Sequence, residues 1–223
     1  MHSNDRSEQE LKLLQLHFIG KILAGFTHES KNYLAIINES VGLIGDMVQM
    51  GKSSEKDLSE YLQIVRSVED QIKRANEHFR ALNRFAHRMD TELSSFSLNE
   101  SIEELIALLT RFAKQKKIAL IKNFQEDLPS LFSNPSLLQF IVFSVLDEGL
   151  LTLEKDSRIT IETAGADHAV QIKIIPEGNV QTMESEVPSV PHEVVEKTIK
   201  QLNGNIVREG TGKTFIMLPL TAS

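Results

Sequence analysis

The chain has 223 residues, 41% of them hydrophobic and 25% charged, with a formal net charge of -7. This length suits one large or two modest domains, and we read two. There is no cysteine, which excludes disulfides and thiolate metal sites and fits a reducing compartment, and the negative balance argues against nucleic acid as the main partner.

The amino terminus, Met1-His2-Ser3-Asn4-Asp5, has no apolar core behind a basic start. Apolar runs such as Leu137 to Leu146 are short, so no membrane segment is expected and a soluble cytoplasmic protein follows. Ser3, Asn4, Asp5 and Ser7 are candidate caps for a first helix. No proline occurs before Pro129, which permits very long helices. From Leu16, steps of three and four pick out Leu16, Ile19, Leu23, Phe26, Ser30, Tyr33, Ile37, Ser40, Ile44 and Met47, a largely apolar seam of coiled-coil type. Gly51-Lys52-Ser53-Ser54 ends it. A second helix from about Glu55 has the seam Tyr61, Val65, Val68, Ile72, Ala75, Phe79, Leu82, Ala86 and Met89. Helices of roughly 35 to 45 residues would be about 50 to 65 Å long. A lone hairpin of that length is thin, so two copies pairing into a four-helix bundle is the expected arrangement, with an intramolecular bundle completed by the next helix as the alternative.

Thr91 to Ser97 reads as a hinge. Beyond it, Ser97-Leu98-Asn99-Glu100 caps an amphipathic helix through Ile102, Leu105, Ile106, Leu109 and Ala113. Ile118 to Phe124 alternates as a strand, and Asn134-Pro135 starts a helix through Leu153. Arg158 to Thr163 and Ala169 to Ile175 are strands joined at Gly165-Ala166-Asp167. Pro176 to Pro191 reads as a loop and His192 to Leu202 as a helix ended by Asn203-Gly204. Asn205 to Arg208 and Thr214 to Leu218 complete the strands. The division is a helical hairpin over 1–93 and an α/β unit over 98–223, α+β in class.

Within the first helix, Thr27-His28-Glu29-Ser30-Lys31-Asn32 sets a histidine beside a carboxylate. On the seam register His28 lies opposite the packed face, so its imidazole should face solvent and a partner protein. A neutral imidazole offers one free lone pair to an incoming phosphoryl group. Glu29 can accept the other ring N–H and offset the positive charge that develops on attack. Asn32, one turn on, shares the face of His28 and can orient a phosphoryl oxygen or a water. Lys31 is a lesser electrostatic aid.

Thr27-His28-Glu29-Ser30-Lys31-Asn32-Tyr33-Leu34-Ala35-Ile36-Ile37 resembles the histidine-bearing box of two-component histidine kinases, carried on the first helix of a dimeric bundle. Asp127-Leu128-Pro129, Asn134-Pro135, Gln139, Gly204-Asn205-Ile206, Gly212-Lys213-Thr214-Phe215 and Leu218-Pro219 resemble that family's ATP-binding domain in order and spacing. The resemblance spans roughly residues 11 to 220 and implies a long hairpin forming a dimeric four-helix bundle, followed by a degenerate kinase-like α/β sandwich. Where the family has asparagines facing metal and phosphates, this chain has Phe143 and Asp147. The family's adenine-reading aspartate corresponds to Pro176, with Gly178 retained. The stretch Val187-Pro188-Ser189-Val190-Pro191 lacks the glycines that would cradle phosphate, and prolines supply no amide for the purpose.

These departures imply a histidine phosphotransferase that passes phosphoryl groups between His28 and receiver-domain aspartates without ATP. Its partners are response-regulator receiver domains and a second copy of the chain. No cofactor is expected of its own, any magnesium being supplied by the receiver. The competing expectations are an ATP-dependent histidine kinase with a divergent nucleotide site, and a non-catalytic dimeric scaffold that binds receivers. A phosphatase role with Asn32 positioning water shares the same surface. Ala24 and Gly25 are small and would leave room for a receiver. A zinc-protease reading of His28-Glu29 fails because position 32 is asparagine, and Gly212-Lys213-Thr214 fails as a phosphate loop because position 207 is valine. His17, His78, His87, His168 and His192 have no ligand spacing and read as surface or cap residues.

Overall fold

The computed structural model describes residues 2–52, 54–180, 189–210 and 212–220. Two long helices, α1 (His2–Gln49) and α2 (Glu55–His87), form the hairpin. Because α1 already runs from His2, Ser3, Asn4, Asp5 and Ser7 lie inside its first turns and do not precede it. Ser54 caps α2 reciprocally: its hydroxyl accepts from the Asp57 amide and its own amide donates to Asp57 Oδ2 at 2.9 Å. This satisfies donors that the first turn of a helix leaves free.

The chain then enters β1 (Ser94–Phe96), α3 (Leu98–Lys116), β2 (Ala119–Phe124), β3 (Leu131–Ser133) and α4 (Pro135–Thr152). The stretch expected as a hinge is therefore partly a strand, with β1 pairing antiparallel to β3 and Phe96 buried. Three residues, two of them serine, carry no alternation long enough to reveal a strand. Next come β4 (Arg158–Ala166), β5 (Ala169–Glu177), α5 (His192–Gln201), β6 (Asn205–Glu209) and β7 (Lys213–Pro219). The β4–β5 pairing extends through Ala166 and Ala169, so the turn falls at Asp167-His168, where His168 takes a φ of 56°. Residues 181–188 of the expected loop, including Val187 and Pro188, lie outside the described residues.

β2, β4, β5, β7 and β6 form one sheet in that order, with β2 parallel to β4 and the other neighbours antiparallel. Alternate residues, Ile159 and Ile161 on β4, Val170, Ile172 and Ile174 on β5, and Ile216 and Leu218 on β7, are buried, as the period of two requires. Helix α4 is the one described helix long and apolar enough to cross a bilayer, yet 67% of it is buried in the fold. It is the central core helix.

The hairpin and the globular half share one continuous core. Phe18 of α1 is 2% exposed and meets Phe85 of α2 edge to face at 5.4 Å and Phe143 of α4 at 4.5 Å between ring centroids. Ile22, one turn on, is fully buried. The expected seam had placed Leu16 and Leu23 inside, and both are exposed in the single chain. The reason is that the first half of α1 packs on α3 and α4 as well as α2, so its buried face rotates toward Phe18 and Ile22. On α2, His78, Ala81 and Phe85 are buried, whereas Val65, Ile72 and Phe79 of the expected seam are exposed. The intramolecular arrangement weighed against a dimer is thus present at the base, where α3 touches both hairpin helices. Towards the tip, Leu34, Val41 and Val48 remain exposed.

Two local contacts set the hairpin on the globular half. Gly25 faces the ring of Phe112 on α3, and a Cβ there would lie 2.5 Å from Phe112 Cε2. Its smallness serves helix contact, so it leaves no room for a receiver as the sequence had suggested. At the other side the Glu104 carboxylate, 1% exposed, receives Arg88 Nε at 3.1 Å and a second Arg88 nitrogen at 3.0 Å, with Arg84 at 3.4 Å. Such a forked, desolvated pair is costly to break from one side. Arg88→Met should lower unfolding free energy by about 3 kcal/mol in urea titrations because Glu104 stays buried with only Arg84 and the Gln139 amide beside it. Gly25→Ala should cost roughly 1 to 3 kcal/mol through the clash with Phe112.

Candidate functional site

Residues 27–32 sit on α1 ten residues beyond the Phe18 anchor. Thr27 is exposed and its hydroxyl donates to the Leu23 carbonyl at 2.7 Å. His28, Lys31 and Asn32 are exposed. The i and i+4 positions of His28 and Asn32 bring both to one outer face. Glu29 and Ser30 are half-buried and turn toward α2. Successive residues on a helix point about 100° apart, so Glu29 diverges from His28, and no hydrogen bond joins the two among the described residues.

The Glu29 carboxylate instead faces Tyr33 and His78. Burial raises the Tyr33 phenol pKa, and Glu29 raises it further, by its charge and as an acceptor for the phenol hydrogen. His78, read from the sequence as a surface residue, is 8% exposed and stacks on Phe26 with centroids 4.9 Å apart and planes inclined by 13°. Rotation of α2 relative to the expected frame carries it inward. Burial lowers its pKa, and the Glu29 charge opposes that shift.

A second cluster lies where the resemblance places a nucleotide. Asp147 on α4, 3% exposed, is bound on one oxygen by Lys21 Nζ of α1 at 2.5 Å and on the other by the Ser189 hydroxyl at 2.5 Å. The Lys21 ammonium also stands over the rings of Phe112 and Phe143 at 5.8 and 5.9 Å. Phe143 itself is fully buried in the aromatic core. His192 Nε2 meets Glu148 at 2.9 Å beside this cluster. Pro176 borders a cavity of only about 40 Å³ with Gly149, Ile159 and Val180. Gly178 has a φ of 142°, and a Cβ there would overlap Ser157 Oγ, so local backbone geometry accounts for this glycine. Lys21, Ser189 and His78 escaped the sequence reading. Only Lys21 left a signal, as a lone cation between the apolar residues Phe18 and Ile22. No group of three metal-ligating side chains occurs among the described residues.

No family model matches the chain, and no curated protein matches its sequence. Solved structures do resemble it. A nucleotide-free catalytic domain of histidine kinase ThkA is 16% identical with a TM-score of 0.51, over 59% of this chain and 100% of that one. The Acinetobacter baumannii histidine kinase AdeS is 15% identical, TM-score 0.49, over 87% and 98%. Histidine kinase ThkA in complex with response regulator protein TrrA is 15% identical, TM-score 0.49, over 98% and 66%. The likeness to the ThkA catalytic domain shows a shared fold over 59% of this chain, and here that α/β sheet domain follows a helical hairpin.

The buried histidine makes stability pH-dependent. Its pKa is lower folded than the 6.5 of the free side chain, so the unfolded chain takes up the proton first. Stability therefore falls as pH drops below about 6.5 and levels out below the folded-state value. In His78→Phe this component is absent, and the loss of unfolding free energy between about pH 7.5 and about pH 5 should be smaller than in the wild type.

Proposed function

We propose that this protein is a histidine phosphotransferase of a two-component relay, which exchanges phosphoryl groups between His28 and receiver-domain aspartates and does not draw them from ATP. The observation that carries the reading is an exposed histidine, with Asn32 on the same face, on the first helix of a hairpin joined to a histidine-kinase-type domain. A lone-pair nitrogen of His28 attacks the phosphorus of a receiver's aspartyl phosphate. The N–P bond forms, the P–O bond to the aspartate breaks, and the carboxylate leaves. The second ring nitrogen releases its proton to solvent, so the product is a neutral phosphohistidine, and the reverse sequence loads the next receiver. Asn32 orients a phosphoryl oxygen and Lys31 lends a weaker attraction to the phosphate, while the Glu29 carboxylate, turned toward Tyr33 and His78, is left out of the step.

Support for the absence of an ATP reaction comes from the engaged carboxylate. Asp147 stands where a metal-facing asparagine is expected, but both its oxygens are bound, by the Lys21 ammonium and the Ser189 hydroxyl. The neighbouring position is Phe143, with no polar atom to offer, and the space beside Pro176 is too small for a purine. These residues do not fit a magnesium nucleotide.

A homodimer belongs to the proposal. The seam of α2 is two-sided: Tyr61, Val68, Ala75 and Leu82 are partly buried by the rest of the chain, while Val65, Ile72 and Phe79 remain 41%, 46% and 54% exposed at seven-residue intervals. Leu16 and Leu23 repeat this on α1. A heptad-spaced apolar row left open on a hairpin suits a second hairpin, completing four helices. The reading places the protein in the cytoplasm, with its receivers.

The test is phosphoryl transfer from a labelled receiver. The wild type should acquire acid-labile, base-stable label, and His28→Gln should acquire none; undiminished labelling of that variant rules His28 out. Incubation with γ-labelled ATP should leave the wild type unlabelled, and self-labelling would assign a kinase. Ile72→Asp with Phe79→Asp should sediment as a monomer where the wild type sediments as a dimer.

A further inference from the structure

Apart from the phosphoacceptor face and the nucleotide-like cluster, the molecule has a cleft of about 440 Å³ where the hairpin meets α3. Its walls come from three helices: Tyr33 on α1, Arg74 and His78 on α2, and Thr110, Arg111 and Lys114 on α3. Glu29 and Glu77 also line it, and the Glu29 charge is directed at Tyr33 and His78. Among the described residues, neither Arg74, Arg111 nor Lys114 has a carboxylate within ion-pair distance, although two separate helices supply them. The Nε2 of His78 is buried without a hydrogen-bond partner. A buried polar atom left unmatched carries a desolvation cost that a ligand or water group removes. Three cations converging on a cleft of this size, beside an unmatched nitrogen, make a receptor for a compact multiple anion.

We propose that this cleft binds a small molecule carrying two or more ionised phosphate groups, held between Arg74 of the hairpin and Arg111 and Lys114 of α3. Cations from two helices line the same cleft, so a ligand with two phosphates can engage both helices. Guanidinium groups pair with phosphate oxygens in a fork, and Lys114 adds a point charge. Glu77, also in the lining, suits a hydroxyl or amine on the organic part of the ligand. The ligand would tie α3 to α2 of the hairpin. The cleft shares Glu29 with the phosphoacceptor segment, but the groups that hold the ligand, Arg74, Arg111 and Lys114, take no part in the phosphotransfer reading.

Inorganic pyrophosphate is the probe, added to the full chain and followed by isothermal calorimetry and by thermal unfolding. Sodium sulfate at matched ionic strength is the control for general salt effects. The wild type should bind in a saturable, one-per-chain manner and gain thermal stability. Arg111→Glu with Lys114→Glu should bind on the order of tenfold more weakly or worse, while Arg80→Glu and His28→Gln should bind as the wild type does. No saturable binding, or a thermal gain that sulfate reproduces or the charge reversals leave unchanged, overturns the proposal. Loss of receiver affinity in the charge-reversed variant, with no pyrophosphate binding by the wild type, assigns the cleft to a protein carboxylate surface and overturns it equally.

Discussion

The packing of Phe18 against Phe85, Phe140 and Phe143 is the contact on which the rest of the molecule depends. It joins α1, α2 and α4 in one aromatic cluster, so the histidine-bearing helix is part of the globular core and not a stalk that merely leads to it. Ile22 and the Gly25–Phe112 approach continue the same contact toward His28. The buried Arg88–Glu104 pair fixes the returning helix to α3 on the opposite side. Dispersion and apolar burial supply the attraction, and the ion pair and the glycine set the angle at which the helices meet.

With the helix fixed in this way, the cluster around Asp147 helps to hold it. Lys21 follows Phe18 by three residues and is thereby delivered to Asp147 through a frame of aromatic rings. A carboxylate that is 3% exposed needs a charge partner, and the lysine supplies it from within the same chain. The domain keeps the layered form that its sheet and helices dictate, while its polar interior is used to hold the hairpin. That form follows from alternation on β4, β5 and β7 and does not require a nucleotide.

Much of this was legible in the sequence. Long helices free of proline, the break at Gly51-Lys52-Ser53-Ser54, the Asn134-Pro135 helix start and the alternation on β4, β5 and β7 set the element order, because each rests on local chemistry. The outward placement of His28 followed from its distance from any plausible seam. What escaped were features decided by contacts distant in the chain. Leu16 and Leu23 fit a seven-residue repeat as well as Phe18 and Ile22 fit a neighbouring one, and only the presence of α3 and α4 decides between them. His78 looked polar and exposed until the Phe26 ring covered it. The strand at Ser94–Phe96 exists because Leu131–Ser133 lies alongside, and no property of its own three residues announces it. Ser189 meets Asp147 across forty-two positions, a pairing that no local pattern encodes.

The unbroken course of α1 has a mechanical consequence. Phe18 and His28 ride on one unbroken helix, separated by about 15 Å along its axis, with no proline between them; of the two glycines in that stretch, Gly25 is wedged against an aromatic ring and Gly20 stays in regular helix with open space beside it. Any swivel of the globular half about that helix is therefore transmitted as torque, and the imidazole swings through the same angle. The heading of the His28 ring is thus geared to the posture of the sheet domain.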